Sequence, residues 1–274
     1  MLNKKENISI IGCGWLGLPL AKALVDRGYV VKGSTQTPSK LNLLHQNNIV
    51  PFLIEVNKKI KGTNLTQFFN SDLLILNIPP GRKRKDIAKF YPLQIAAVIE
   101  KVIQFNIKKV LFISSTSVYG NPNRMVTEAD EPLPGTDSGE ALVNVETYLA
   151  GRTDFETTIV RFGGLVGPNR PAGRFLAGKK GLKNGMAPVN LIHLEDCIEV
   201  LIRIIDHNFW GYIFNACSDE HPPRSLFYTH QAEKQGFELP EFEKEDTPSF
   251  KIVSSYKLKQ TLPYQFIHPD PMKF

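Results

Sequence analysis

The stretch ISIIGCGWLGLPLAKALVDRGYVV, residues 8–31, decides the expected fold. A short apolar segment at residues 8–11 leads into a turn of glycines, and a helical pattern over residues 16–27 then ends at Gly28. A second apolar segment, residues 29–31, follows at once. Strand, glycine turn, helix and strand in this order make a βαβ unit, from which parallel sheets are built.

Three glycines in this stretch have the spacing of a phosphate-binding loop. Gly12, Gly14 and Gly17 form GxGxxG between the first strand and the helix. Gly12 permits a tight turn, Gly14 lets the backbone approach a pyrophosphate, and Gly17 allows the helix to pack closely on the strand. The helix N-terminus, with Trp15 and Leu16, offers N–H donors and the positive end of a dipole. We predict that the loop binds a dinucleotide cofactor; the alternative is a glycine turn without a ligand.

The alternation of strands and helices continues beyond this unit. The predicted strands are residues 50–56, 73–76, 110–114, 158–162 and 212–215, and the predicted helices are residues 38–46, 87–105 and 141–150. Residues 73–76 are wholly apolar and are expected at the centre of the sheet. The predicted fold class is α/β, a Rossmann-type doubly wound parallel sheet with a small C-terminal substrate lobe.

After Phe162 the pattern changes. Residues 163–190 are rich in glycine, proline and basic side chains, which indicates loops and one short helix around a site. Residues 191–207 have the pattern of a strand end followed by an amphipathic helix, and the remainder contains many prolines. We predict a cofactor-binding domain of residues 1–165, to which 190–215 return. Residues 166–189 and 216–274 are expected to form the substrate lobe.

The composition is that of an ordinary globular protein, with 274 residues, 42% hydrophobic and 22% charged. No apolar run approaches the ~20 residues that a membrane span needs, and the apolar stretch near the N-terminus is too short for a signal peptide. We therefore expect a cytoplasmic protein without a membrane partner. Cys13, Cys197 and Cys217 are isolated and have no metal-ligand spacing, so we expect reduced, packed thiols and no metal site.

Basic side chains exceed acidic ones by 33 to 27, and this formal charge of +6 is concentrated in short clusters. The clusters are Lys58, Lys59 and Lys61; residues 82–85; and residues 170–183. Nucleic-acid binding is disfavoured, because no interleaved aromatics or nucleic-acid module accompany them. An anionic small molecule is the preferred partner. The alternative, strongest for residues 82–85, is a solvated face.

The end of the second strand bears on the choice of cofactor. A carboxylate there would hydrogen-bond the ribose 2′-hydroxyl of NAD and repel a 2′-phosphate. The segment VVKGSTQTPSK, which begins at Val30, has a glycine and then Ser34 and Thr35 at this point. Their hydroxyl and N–H groups, with Lys40 or Lys32 nearby, suit a phosphate dianion. The sequence therefore favours NADP over NAD; the alternative is a Ser/Thr cluster that only caps the next helix.

A run of hydroxyls, KKVLFISSTSVYG at residues 108–120, ends the predicted fifth strand. Side chains at the carboxyl end of a central strand lie in the crevice where doubly wound folds bind ligands, so Ser114 is expected beside the cofactor. With this motif, and with RFGGLVGP, NLIHLEDCIEVL and YIFNACSDE following in order, the chain resembles the short-chain dehydrogenase/reductase superfamily. The resemblance is to its extended branch, the NAD(P)-dependent epimerases and dehydratases of nucleotide sugars, and covers nearly the whole chain.

The resemblance implies a catalytic site from which one pair is missing. In the family a Tyr-x-x-x-Lys pair follows the strand hydroxyl, and the lysine lowers the tyrosine pKa so that the phenol can exchange a proton with substrate. In DSGEALVNVE, with Glu146 aligned to the acid that follows the pair, Ser138 and Leu142 stand at the two positions. Ser115 matches the family's catalytic hydroxyl, and Tyr119 is a candidate donor or a structural residue. The glycine loop also departs from the branch's usual GxxGxxG, so the chain resembles an atypical subgroup.

The resemblance also implies residues beside the cofactor and the substrate. Asn77 and Pro79, in LNIPPG, are expected to border the cofactor ribose and pyrophosphate. Guanidinium groups pair well with phosphate or carboxylate. The expected substrate-binding residues are Arg161, Arg170, Arg174 and His193. Arg161 has an alternative role as a structural ion-pair partner, and His193 as a packed residue beside the site.

We therefore expect an NAD(P)-dependent oxidoreductase or epimerase that acts on an anionic substrate, with nucleotide sugars as candidates. An alternative is a non-catalytic NADP sensor that has lost the acid–base pair. A third hypothesis, a β-hydroxyacid dehydrogenase, is suggested by IGCGWLGLPLAKAL, but the chain lacks that family's large helical second domain. A monomer or a homodimer is expected, with the predicted helices 87–105 and 141–150 as the pairing surface.

Overall fold

The computed structural model describes residues 6–81, 84–244 and 247–274, in which strands alternate with helices. The strands are β1 (Asn7–Ile11), β2 (Val30–Thr35), β3 (Val50–Val56), β4 (Ile60–Gly62), β5 (Leu73–Leu76), β6 (Lys109–Ser115), β7 (Met125–Val126), β8 (Glu156–Phe162), β9 (Gly164–Val166), β10 (Leu191–His193), β11 (Ile213–Ala216) and β12 (Ile252–Val253).

The helices follow the same order along the chain. The α-helices are α1 (Gly17–Asp26), α2 (Leu41–Gln46), α3 (Leu65–Phe69), α4 (Ile87–Gln104), α5 (Asp137–Ala150), α6 (Leu194–Asp206), α7 (Arg224–Lys234) and α8 (Tyr256–Thr261). Short 3-10 helices are Pro38–Lys40, Thr116–Val118, Ala172–Phe175 and Pro271–Lys273. Within the described residues, no helix combines the length and the apolar character that crossing a bilayer requires.

Eight strands form one sheet in the order β4-β3-β2-β1-β5-β6-β8-β11. β1 pairs in parallel with β2 and with β5, and the pairs β2–β3 and β5–β6 are parallel as well. From β3 to β8 this is the strand order of a doubly wound nucleotide-binding fold. The chain adds strands on one side of β1 first and then on the other side. Every residue of β5 is buried, and the strand lies inside the sheet. The predicted Rossmann-type fold is confirmed.

β2 is longer than predicted, and Gly33 explains the difference. The sequence suggested a strand ending at Val31, yet it continues to Thr35. A Cβ on Gly33 would lie 2.7 Å from Sγ of Cys13 and 2.8 Å from Cγ2 of Ile49. Glycine therefore lets the strand pass close to these side chains. In the sequence alone, the same glycine suggested that the strand had ended.

Two helices also differ from the prediction. α5 begins at Asp137 rather than Ala141, because the Thr136 side chain caps it and accepts the N–H of Gly139 at 3.1 Å. α7 was not predicted: its largely polar sequence, RSLFYTHQAEK, directly follows two prolines. In both cases the turn-forming residues around the helix start outweighed the helical pattern in the sequence.

The chain divides into two compact units. The first unit comprises the chain up to Ser114 together with Thr136–Val160 and Ile204–Ile213. The second unit comprises Ser115–Gly135, Arg161–Arg203 and Phe214–Phe274. The units differ from the predicted domains in segments 115–135, 161–165, 190–203 and 214–215, which belong to the second unit. The boundaries of functional domains stay a prediction.

Each unit has its own apolar core. In the first, strand residues pack with the inner faces of the helices, and fully buried members include Ile8, Ile10, Leu20, Leu24, Phe68, Leu74 and Val98. In the second, one core cluster contains Val166, Ala172, Val189, Leu191 and Phe227, against which Tyr228, Met272 and Phe274 pack. These cores fix the ends of β1, β2, β5 and β10, from which the candidate site residues project.

Candidate functional site

The glycine loop of the first unit, residues 12–17, requires glycine at two positions for packing alone. Gly12 has a φ of 101°, and an added Cβ would lie 2.5 Å from the carbonyl oxygen of Asn77. A Cβ on Gly17 would clash with the carbonyl oxygen of Gly12. Asn77 closes the loop, because its Nδ2 donates to that same carbonyl at 2.7 Å. Gly12 and Gly17 are therefore explained without a ligand.

Gly14 differs from both. Apart from its chain neighbours, no atom of the described residues lies within 4 Å of an added Cβ, and its φ is not in the left-handed region. Neither packing nor backbone conformation demands a glycine here. In addition, α1 begins at Gly17 with no side-chain cap bond and no acidic residue in its first turn, so its positive dipole end is not offset there. Open space beside such a helix end suits a phosphate group.

The loop borders a cavity of about 210 Å³ within the first unit. Its lining residues come from the loop, the end of β2 and the segment after β5, with an apolar wall from β3. They include Gly12, Cys13, Gly14, Ser34, Thr35, Gln36, Lys40, Ile54, Val56, Asn77, Ile78 and Pro79. Trp15 lines a neighbouring cavity of about 280 Å³, and Leu16 is buried. Burial raises the pKa of the Cys13 thiol to about 12, so Cys13 is a neutral part of the wall.

The two hydroxyls at the end of β2 take part in local structure. Ser34 is 2% exposed, and its Oγ accepts the N–H of Gly12 at 3.1 Å. Thr35 Oγ1 accepts the N–H of Thr37 at 3.1 Å. Lys40 is exposed and lines the cavity. Each hydroxyl acts as an acceptor in these bonds and keeps its own proton for donation.

Lys32 does not lie at this cavity, and its predicted role beside a cofactor phosphate is wrong. Its Nζ donates to the carbonyl oxygen of Asn70 and to Ser71 Oγ, the latter at 3.3 Å. These two residues precede β5, at the amino end of a parallel strand and away from the glycine loop. Burial lowers the pKa of Lys32. Of the two lysines considered, only Lys40 is placed at the cavity.

Helix α5 carries the segment in which the Tyr/Lys pair was expected. Ser138, Leu142 and Glu146 are spaced four residues apart and therefore share one helix face. Leu142 is buried, and the carboxylate of Glu146, 4% exposed, accepts a bond from Ser114 Oγ at 2.5 Å. This bond ties the helix to the carboxyl end of β6, where Ser114 lies. The face thus presents a hydroxyl and an aliphatic side chain at the two aligned positions, with neither a phenol nor an ammonium group.

Ser115, the predicted catalytic hydroxyl, begins the second unit. It is half-buried at the end of β6, and its Oγ accepts the N–H of Ser117 at 3.2 Å, which caps the short 3-10 helix Thr116–Val118. The hydroxyl proton is not used in this bond. Ser115 is therefore held in one orientation and can still donate to a substrate oxygen.

Tyr119 lies in a buried polar network of the second unit. Its hydroxyl donates to Oδ1 of Asn215 at 3.0 Å and accepts from Nη1 of Arg161 at 2.6 Å. Both Tyr119 and Arg161 are only 3% exposed. Burial raises the pKa of Tyr119, although Arg161 and Asn215 act in the opposite direction. This environment favours a positioning role for Tyr119 over proton transfer. For Arg161 it favours the role of a structural partner over that of a substrate contact.

The other two predicted substrate arginines have different surroundings. Arg170 is half-buried; its Nε donates to the carbonyl oxygen of Leu165 at 2.9 Å, and its guanidinium carbon lies 5.6 Å from the centre of the Phe175 ring. Arg174 is exposed on the 3-10 helix Ala172–Phe175. Arg170 thus stabilises the loop, whereas Arg174 presents its charge to solvent.

The remaining basic clusters have the character of solvated faces. Lys58, Lys59 and Lys61 are exposed around β4. Of the cluster at residues 82–85, Arg82 and Lys83 lie outside the described residues, and Arg84 pairs with Asp86 at 2.7 Å.

One cluster of titratable side chains was missed in the sequence. His193 ends β10, Glu195 lies in the first turn of α6, and His268 belongs to the segment after α8. One ligand-type atom of each lies within 4.8 Å of the other two. The His-x-Glu spacing was visible, but His268 lies 73 residues after Glu195, and no spacing rule connects them.

Comparison with known proteins finds similarity over nearly the full length of the chain. No protein-family model matches the chain. Protein YeeZ of Escherichia coli strain K12 is 32% identical over 270 residues, which make up 97% of this chain and 98% of that protein. The similarity therefore extends over both compact units.

Solved structures share the fold at low sequence identity. MoeE5 in complex with UDP-glucuronic acid and NAD has a TM-score of 0.77 at 16% identity, covering 95% of this chain and 93% of that chain. UDP-glucose 4-epimerase from Thermotoga maritima, solved with UDP-glucose, has a TM-score of 0.75 at 16% identity, covering 95% and 94%. A short-chain dehydrogenase/reductase superfamily protein with bound NAD is also similar. The predicted resemblance to the extended branch of that superfamily is confirmed at the level of the fold.

Proposed function

The chain belongs to the same family as Protein YeeZ of Escherichia coli, and on this premise we propose that it is an NAD(P)-dependent oxidoreductase or epimerase acting on an anionic substrate. The observation that carries the proposal is the open space at Gly14. The fold itself requires glycine at 12 and 17. A glycine at 14 serves no contact within the described residues, and a bound pyrophosphate gives it a reason.

The residues around the loop fit a dinucleotide. Gly14 and the start of α1 would hold the pyrophosphate, and Thr35 and Lys40 at the cavity would hold the adenosine ribose. NADP is the preferred form, since the β2 end carries Ser34, Thr35 and Gln36 in place of a carboxylate. When bound, a nicotinamide dinucleotide supplies or accepts a hydride at a substrate carbon. MoeE5, of similar fold, is described with NAD, which supports this class of cofactor.

Ser115 is the residue that we assign to the reacting oxygen of the substrate. Its orientation is set by the bond from Ser117, and its proton is available to stabilise or protonate an oxygen as charge develops there. Tyr119 and Arg161 support this region from their buried network. Without a lysine at Leu142 or a phenol at Ser138, the chain cannot lower a donor pKa in the family's manner. We therefore expect either slow turnover or a substrate that supplies its own proton donor.

The substrate class is inferred from charge and from fold. Arg174 is exposed and cationic on the loop that follows β9, where the superfamily resemblance expects the substrate. A guanidinium group pairs with phosphate or carboxylate. The two structures named above are described with UDP-glucuronic acid and UDP-glucose, which makes nucleotide sugars the first candidates.

A second candidate function, a non-catalytic NADP sensor, is favoured by the face of α5. Ser138 and Leu142 leave that face without an acid–base pair, and Leu142 is buried. In this case the cofactor cavity is used and turnover is absent.

Two measurements on the full chain test both candidates. Fluorescence titration with NADPH and NADH, with Trp15 in the glycine loop as an energy donor, should give micromolar binding of NADPH and weaker binding of NADH. If neither binds, both candidates are wrong. NADPH turnover with keto-sugars and nucleotide sugars then separates them: activity that Ser115→Ala abolishes and Ser117→Ala preserves supports the enzyme, and binding without turnover supports the sensor.

A further inference from the structure

We propose that His193, Glu195 and His268 form a binding site for one borderline divalent cation, with zinc as the first candidate. The site lies within the second unit and goes beyond the proposed function. The sequence suggested no metal site, because its ligands come from two distant segments.

The distances between the ligand atoms suit a zinc-sized ion. Nε2 of His268 lies 2.6 Å from Oε2 of Glu195, and Nδ1 of His193 lies 4.0 Å from the same oxygen. Ligand atoms at ~2.0–2.1 Å from a tetrahedral zinc are roughly 3.3 Å apart, between these two values. The Glu195 side chain is 59% exposed, so its carboxylate has room to rotate and change both separations. Ligation would replace two bonds: the long one from the Glu195 N–H to His193 Nδ1, at 3.4 Å, and the one between His268 Nε2 and Glu195 Oε2, at 2.6 Å.

The backbone of His268 is held in place by buried polar groups. Asp196 is fully buried, and its carboxylate accepts the N–H of Ile267 at 2.7 Å and the N–H of His268 at 3.0 Å. Ser218 Oγ donates to the carbonyl oxygen of His268 at 2.9 Å. His193 is fixed separately, because it ends β10 in register with Val166 of β9. The backbones of both histidines are thus held in place, as a metal site requires.

The chemistry of the cluster also favours a cation. The two imidazole rings have centroids 3.9 Å apart, so both rings lie beside one point. A divalent cation binds both rings in their neutral form and pairs with the carboxylate of Glu195. The Phe274 ring, with its centroid 5.6 Å from that of His193 and 6.1 Å from that of His268, adds an apolar side. Three protein ligands leave the fourth tetrahedral position for water or an anion.

The simpler interpretation is an ion pair between Glu195 and His268 with His193 stacked beside it. Metal titration of the full chain, after dialysis against a chelator, decides between them. We expect one Co²⁺ or Zn²⁺ per chain, with the visible absorption bands of cobalt in a low-symmetry site. His193→Ala and His268→Ala should each weaken metal binding by at least about 10- to 100-fold, which is the loss typical of mutating a residue that only supports a ligand.

Two further variants keep the test decisive. Glu195→Gln changes an exposed side chain and should lower affinity while the melting temperature without metal stays that of the unchanged protein. His45→Ala, at an exposed histidine of the first unit, is the matched control and should leave binding unchanged. The proposal is overturned if the chain binds no ion, or if Glu195→Gln binds as tightly as the unchanged protein. Neither result bears on NADPH binding, which is measured separately.

Discussion

Gly14→Ala and Gly12→Ala are expected to separate cofactor binding from stability. The two positions lie two residues apart in one loop and receive the same methyl group. At Gly14 that methyl enters open space, whereas at Gly12 it meets the carbonyl oxygen of Asn77 at 2.5 Å on a backbone with positive φ. We therefore expect Gly14→Ala to lose affinity and keep stability, and Gly12→Ala to lose stability first.

The magnitudes follow from these contacts. Placing an L-residue in a left-handed conformation costs roughly 1–2 kcal/mol, and relieving an overpacked contact costs about 1–3 kcal/mol more. Gly12→Ala should thus lose about 2–5 kcal/mol, which for a chain of this size lowers the melting temperature by roughly 4–9 °C. Gly14→Ala should change stability by no more than about 0.5 kcal/mol. If the methyl occupies the pyrophosphate position, affinity for NADPH should fall at least about tenfold, or ~1.4 kcal/mol.

Thermal unfolding and NADPH titration of the two variants, in one buffer, test this reasoning. The pattern expected is a normal melting temperature with weak binding for Gly14→Ala, and a lowered melting temperature for Gly12→Ala. Tight NADPH binding by Gly14→Ala would refute the assignment of the open space to a phosphate. A large loss of stability in Gly14→Ala would show instead that this glycine serves the fold.

Three other predictions concern buried and charged pairs. Tyr119→Phe should lower the free energy of unfolding by about 1–3 kcal/mol in urea titrations, because the Arg161 guanidinium loses an acceptor. If Tyr119 has a positioning role, the same substitution should reduce turnover without abolishing it. Ser114→Ala should cost a similar amount, since it removes a donor from the buried Glu146 carboxylate, and an unchanged urea midpoint would argue against the bond. The Arg124 guanidinium, together with the N–H and the hydroxyl of Thr127, lowers the pKa of Asp130 from 3.8 to about 2. The stability that comes from this lowered pKa is therefore present above about pH 4 and is lost as the pH falls towards 2. An NMR titration of Arg124→Ala should show an Asp130 pKa that has moved towards its ordinary value.

The sequence predicted the parts of the fold whose signals are local. The βαβ start, the buried β5 and the long helix α4 follow from apolar periodicity, and glycines mark the turn and the helix end of the βαβ start. The extension of β2 was missed, because Gly33 is a strand residue only where Cys13 and Ile49 crowd it. α7 was missed because prolines and polar residues outweighed its weak helical pattern.

The candidate site was predictable to the same extent. Most residues predicted to bind the cofactor line one cavity, since a glycine loop and two strand ends are contiguous motifs. Side-chain direction was not readable: Lys32 points to the segment before β5, although it lies close in sequence to Ser34. Long-range pairings were equally hidden. Nothing near Tyr119 in the sequence indicated that Arg161 would bond its hydroxyl, or that His268 would join His193.

The bond from Gly12 to Ser34 has a consequence for how cofactor preference can evolve in this chain. Ser34 stands at the position that we propose to distinguish NADP from NAD, and its hydroxyl accepts the N–H of Gly12 in the glycine loop. On that proposal, a mutation of Ser34 would change cofactor specificity and loop order together, so selection could not tune one without disturbing the other. Thr35 and Gln36, which line the cavity without holding the loop glycine, offer the less constrained mutational route. Cofactor switching in such a protein should begin at those two positions and spare Ser34.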